Sequence, residues 1–244
     1  SGEVIYGILG LAGGLAGFET MEGAPDMGSD DTPGPGYGIS DPEAITAVYG
    51  IYNEWLAAFC KSKPNRFAGL ICINGHDPQL AANQVRSGAK NGLRGGEMNV
   101  ATTVEPIYHR DWDVLWAAAS ETNMPISFHT TGLIPRMPNK ADVETYKALA
   151  RDVSSNQFQL SGAEYLSSII LSGACDRFPD LKFVLGECGV GWIPYLLHRM
   201  DDEYGRHISR QNLSAKPTEF WYRQGYSTFQ IEYLTNEMVG FIGE

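Results

Sequence analysis

The chain has 244 residues, 43% of them hydrophobic and 19% charged, and carries a net charge of −11. That length and apolar content suffice for one sizeable core, with a single domain over 1–244 as the expectation. The acidic balance and the lack of any lysine or arginine run argue against a nucleic-acid partner, and no apolar stretch reaches the roughly 18 residues a membrane-spanning helix needs.

In chain order, the first ten residues lack a basic leader and read as the middle of a strand, Glu3 to Leu9, stopped by Gly10. Residues 10–39 are rich in Gly, Pro and Asp without periodicity, the composition of a covering lid. A helix is predicted over Pro42–Lys61 with Asp41 as its N-cap, then a strand at Phe67–Ile73 and a helix at Pro78–Lys90 capped by Asp77. A strand at Gly92–Met98, a helix at Trp112–Thr122 capped by Asp111 and a strand at Pro125–Thr130 follow. Residues 132–159, with Pro135, Pro138 and a helical stretch near Val143–Arg151, form a second covering segment. Beyond it come a helix at Gly162–Arg177 stopped by Phe178-Pro179, a strand at Leu181–Glu187, helices at Ile193–Ser209 and Thr218–Arg223, and a last strand at Tyr226–Ile231. The run from Glu237 to Glu244 reads as a helix that has just finished, so both chain ends look abrupt.

Six nearly uniform apolar strands separated by helices predict a parallel α/β sheet covered on both faces, either open and doubly wound or closed as a (β/α)8 TIM-type barrel. No Gly-x-Gly-x-x-Gly follows a strand and no P-loop occurs, which removes support for the nucleotide-binding open sheet and favours the barrel. Four cysteines, Cys60, Cys72, Cys175 and Cys188, are scattered without a Cys-x-x-Cys pair, a pattern that fits the reducing cytoplasm and neither a zinc ribbon nor a disulfide scaffold.

Barrel chemistry sits at the C-terminal ends of strands, so those positions are the candidates. His129 closes the strand ending Ser127-Phe128-His129 and is either a divalent-metal ligand or a histidine hydrogen-bonded at a strand end. Glu187, in Gly186-Glu187-Cys188-Gly189, would act, if buried, as a general acid or base or as a metal ligand; its bland alternative is a cap for the helix beginning near Trp192. Glu97 and Gln230 either line a substrate pocket or satisfy nearby backbone donors, Glu232 stands beside Gln230, and His76 lies at a strand end next to the Asp77 cap. Cys188 is a nucleophile or, more commonly for such a residue, a small buried thiol, and Trp192 and Trp221 are core or pocket wall.

Several segments occur together in order: Asn65-Arg66-Phe67-Ala68-Gly69-Leu70, Asp113-Val114-Leu115-Trp116, Pro125-Ile126-Ser127-Phe128-His129, Arg177-Phe178-Pro179-Asp180, and Gly186-Glu187-Cys188-Gly189-Val190-Gly191-Trp192-Ile193-Pro194-Tyr195 with Arg199-Met200-Asp201. As a set, spanning most of 65–204, they resemble the amidohydrolase-related family that includes aminocarboxymuconate-semialdehyde decarboxylase and its hydrolase relatives. The resemblance implies a distorted (β/α)8 barrel holding one divalent metal, zinc foremost, with manganese or iron as alternatives, and His129 as its fifth-strand ligand. The six strands then stand for the second to the seventh; the His-x-His pair of a first strand and the aspartate segment of an eighth have no match here. Many relatives carry His-Gly-Gly where this chain has Glu187-Cys188-Gly189, which leaves Glu187 as the nearest counterpart of the catalytic histidine.

The resemblance implies a metal-dependent hydrolase acting on a small, cyclic or carboxylated substrate through metal-activated water, with Glu187 moving protons. Alternatives are a non-oxidative decarboxylase of the same family, a catalytically inactive barrel serving as a binding or scaffold subunit, and a small-molecule binding module drawing on the five tryptophans. A homodimer follows by analogy alone.

Overall fold

Phe67–Ile73 is the strongest strand in the sequence, and in the computed structural model it is the second of six parallel strands that pair strictly in chain order. The structure describes residues 2–7, 41–130, 149, 152–153, 155–206 and 212–243, and for Ala101 the backbone alone. The strands are β1 Glu3–Ile5, β2 Phe67–Ile73, β3 Gly95–Met98, β4 Ile126–His129, β5 Phe183–Gly186 and β6 Gly225–Ser227. Parallel neighbours require a crossover, and helices supply it. These are α1 Pro42–Lys61, α2 Pro78–Lys90, α3 Asp113–Thr122, α4 Ser161–Leu171, α5 Ala174–Arg177, α6 Ile193–Gly205 and α7 Pro217–Gln224, with α8 Asn236–Ile242 after the last strand. The result is a curled parallel wall of (β/α)8-barrel type, with β1 and β6 at its two rims. Both proposed covering segments, 10–39 and 132–159, fall largely outside the described residues.

Helix starts follow local chemistry. Asp41 accepts the Glu43 N–H at 3.0 Å, and Asp77 accepts the N–H groups of Gln79 and Leu80 at 2.8 and 3.0 Å, with Pro42 and Pro78 in the first turn of each helix. The third predicted cap differs: Asp111 lies inside a 3-10 turn, Arg110–Trp112, whose N–H bond goes to the His109 ring instead. The predicted helix over Gly162–Arg177 is broken by Gly173, which adopts φ +74° and separates α4 from α5. Asp201 of α6 accepts both the N–H and the hydroxyl of Thr218, at 3.0 and 2.8 Å, and so starts α7.

Register explains which residues meet. Glu97 pairs with Ser127, and His129 with Gly186. Because side chains alternate along a strand, Glu97, Ser127, His129 and Gly186 share the inner face. Ile71, Met98, Ile126, Phe128, Phe183 and Leu185 point the other way, into the helices, and are fully buried. There Trp116 and Tyr165 contact the Phe128 ring at centroid distances of 6.2 and 6.0 Å, and Trp221 meets Phe183 at 6.1 Å. Asp113 and Arg177, from two of the segments that carry the resemblance, join as a bidentate pair at 2.6 and 3.1 Å between α3 and α5. Past the short pairing of β1, the Asn53 side chain of α1 substitutes for a strand, accepting the Cys72 N–H at 2.8 Å and donating to its carbonyl at 3.1 Å.

Candidate active site

β4 and β5 end side by side, and the two residues at their ends converge: His129 Nε2 stands 3.3 Å from Glu187 Oε2. The other imidazole nitrogen, Nδ1, faces the Thr130 carbonyl at 3.2 Å. A neutral imidazole carries one N–H, so with Nδ1–H given to Thr130 the Nε2 lone pair faces a carboxylate oxygen, an arrangement that a shared cation relieves.

Tyr6, just beyond β1, packs its ring edge-on against His129 at 5.4 Å, and its hydroxyl accepts from Ser127 Oγ at 3.3 Å. Gly186, the register partner of His129, makes this possible. A Cβ at position 186 would lie 2.9 Å from the Tyr6 hydroxyl and 3.0 Å from that of Ser127, too close for either to stay in place.

Glu97 is the buried acid of the cluster. Only 2% exposed, it accepts the Gly7 N–H at 2.6 Å. Burial pushes its carboxyl up to about 7; the Gly7 bond works against that rise and the negative charge of Glu187 adds to it. Acid or base work was expected of Glu187 on condition of burial; the structure buries Glu97 instead, and the Glu187 side chain is 53% exposed because it leaves the sheet on a turn. Its backbone has φ +54°, unusual for a residue with a side chain.

The remaining candidates take other places. Gln230 lies beyond β6, which ends at Ser227 rather than Ile231; its N–H donates to Glu232 Oε2 at 2.8 Å. His76 Nε2 meets Thr46 Oγ1 of α1 at 3.4 Å. The Trp192 indole donates to the Cys188 carbonyl at 2.6 Å, and its ring rests on Gly162. Cys188 is fully buried, bonds the Gly186 carbonyl at 3.3 Å, and burial pushes its thiol up to about 12, so it is the packing thiol and not the nucleophile. Sequence reasoning did not single out Tyr6, Ser127 or Thr228. Ser127 was within reach, since it precedes His129 by two residues on a strand and therefore shares its face.

Two ligands of one ion, at bonds of about 2.1 Å and angles between octahedral and tetrahedral, stand about 3.0 to 3.4 Å apart. The His129–Glu187 separation matches, and imidazole with carboxylate is a donor pair that suits zinc or manganese. Among the described residues no group of three histidine, cysteine, aspartate or glutamate side chains converges, so the pair alone would supply at most two donors of a coordination shell.

The family model for amidohydrolases matches residues 24–228. The gamma-resorcylate decarboxylase of Polaromonas sp. is 28% identical over 203 residues, covering 79% of this chain and 60% of its own length. The crystal structure of 5-carboxyvanillate decarboxylase from Sphingomonas paucimobilis superposes with a TM-score of 0.62 at 26% identity, over 77% of this chain and 55% of that one. At 22% identity and a TM-score of 0.59, over 78% and 59% of the two chains, the dihydroxybenzoic acid decarboxylase of Polaromonas sp. shares the fold; that structure holds manganese and the inhibitor 2-nitroresorcinol. The chain spans a little over half the length of these relatives.

Proposed function

The chain belongs to the amidohydrolase family, and from that premise we propose that it carries the catalytic wall of a metal-dependent, non-oxidative decarboxylase acting on a hydroxylated aromatic carboxylate. One observation carries the reading: the His129–Glu187 pair, 3.3 Å apart on the inner face of a chain whose relatives are decarboxylases. Those relatives favour the decarboxylase alternative over the metal-activated hydrolysis that led the sequence reading. Manganese in the related structure of Polaromonas sp. likewise favours that ion over zinc.

In such a reaction the bond between the ring and the carboxylate breaks, its electron pair stays on the ring carbon, CO2 leaves and a proton is taken up at that carbon. His129 Nε2 would hold a divalent ion, which when bound would supply positive charge near the negative charge of the substrate. Glu187 would share that ion through the carboxylate oxygen that meets His129, which leaves its second oxygen to move a proton. Tyr6 fixes the imidazole from the side, and Gly186 leaves room for the phenol. Glu97, its carboxyl raised to about 7 by burial, is partly protonated at neutral pH and lines the floor. Trp192 and Gln230 serve the walls of the adjoining turn, and His76 the neighbouring strand end.

The test is product analysis. Manganese-loaded protein incubated with 2,6-dihydroxybenzoate should release CO2 and resorcinol, and His129→Ala should lose its stoichiometric manganese by elemental analysis. Hydrolysis of a lactone or amide with no CO2 from any hydroxybenzoate would return the reading to a hydrolase, and full metal retention in His129→Ala would remove the centre.

A further inference from the structure

Glu187 is held in the left-handed backbone region, which residues other than glycine and asparagine avoid, and its side chain is half exposed, so packing does not put it there. Polar bonds do. The Glu187 N–H donates to Thr228 Oγ1 at 2.8 Å. The Glu232 carboxylate divides its two oxygens, Oε1 accepting the Val190 N–H at 2.6 Å and Oε2 the Gln230 N–H at 2.8 Å, charge-assisted bonds that tie the turn after β5 to the segment after β6. The Ser227 hydroxyl adds a bond to the Gly189 carbonyl at 2.9 Å, and Gly189, at φ +65°, lies where any Cβ would strike the Glu232 carboxylate.

We propose that Thr228 and Glu232 are positioning residues of the site: the segment following β6 clamps the 187–190 turn and holds Glu187 in the backbone conformation from which its carboxylate meets His129. Thr228 and one oxygen of Glu232 bond backbone groups of the turn, so the two residues act through Glu187 and not on the metal or substrate. Without the Thr228 bond the turn relaxes toward negative φ, the carboxylate swings off His129, and the divalent ion loses its second donor. The inference rests on the metal-dependent reading above.

Two readouts on the whole chain separate the two. In metal-free protein, hydrogen exchange reports the turn directly: Thr228→Val should speed exchange of the Glu187 amide by about tenfold or more, Glu232→Ala should do so for the Val190 amide, and Thr228→Ser should restore protection. Manganese titration followed by electron paramagnetic resonance should show binding weakened about tenfold in Thr228→Val and restored in Thr228→Ser, as for other groups that orient a ligand. In a Glu187→Gly background, Thr228→Val should change manganese affinity no further. Unchanged exchange in Thr228→Val, or an equal loss of affinity with and without Glu187, overturns the clamp. A wild-type chain that binds no manganese overturns the metal-dependent reading, and the exchange data then decide the clamp alone.

Discussion

On the face that meets the helices, Ile71, Met98, Phe128 and Leu185 are fully buried against Trp116, Tyr165 and Trp221, whereas on the inner face the same strands present Glu97, Ser127 and His129. The outer face is held by apolar area and the shape of large rings, at about 25 cal/mol per Å² removed from water. Around the inner site the fixing elements are directional: a hydroxyl on an amide, a carboxylate shared by two amides, a phenol filling the place of a missing Cβ. Substitutions on the outer face should therefore register as stability, and those on the inner face as proton and metal chemistry.

That division can be broken most forcefully at Trp116. Trp116→Ala removes a fully buried ring and should cost about 3–5 kcal/mol by chemical denaturation; a loss under 1 kcal/mol would mean that the helix layer is not what stabilises the wall. Glu97 tests the inner face. Its carboxyl binds a proton more tightly in the folded chain, at about 7, than unfolded, at 4.5. Its stabilising contribution is therefore complete below about pH 4.5 and is lost as pH rises through 7, by as much as about 3 kcal/mol. Urea unfolding across that range should show the decline in wild type and a flatter profile in Glu97→Gln; identical profiles would contradict it. A smaller effect belongs to Gly186→Ala, whose Cβ must displace Tyr6 or Ser127 at about 1–3 kcal/mol. The discriminating signal there is a change in the His129 ring resonances by NMR, because an outer-face substitution of equal cost should leave them in place. At the small end, Asp77→Ala, which removes only the cap of α2, should cost about 1 kcal/mol of thermal stability and leave those resonances unmoved.

The same division governs what the sequence discloses. β2, α1 and α2 have the predicted bounds because apolar runs and Asp-Pro starts are local signals. The last strand was predicted too long, because Tyr226–Ile231 alternates as a strand should, while the Glu232 carboxylate draws Gln230 toward the turn after β5. His129 and Glu187 stood out as candidates from strand position and from the family resemblance, and the sheet brings the two side chains within 3.3 Å of each other. Tyr6 was not: its partner Ser127 is 121 residues away, and only the register of the sheet brings them together. Thr228 was hidden for the same reason, since its hydroxyl matters only once a turn 41 residues earlier is known to need an acceptor.

The sheet's two rims have a practical consequence. β1 and β6 have no strand beyond them among the described residues, and exposed apolar groups flank both, Val4 at one and Phe229 and Ile231 at the other. Such borders recruit strands, including those of a second copy. The surplus of eleven negative charges sets copies against one another. Salt shortens that repulsion to about 10 Å at 0.1 M, so any association of copies through the rims is expected to rise with buffer ionic strength.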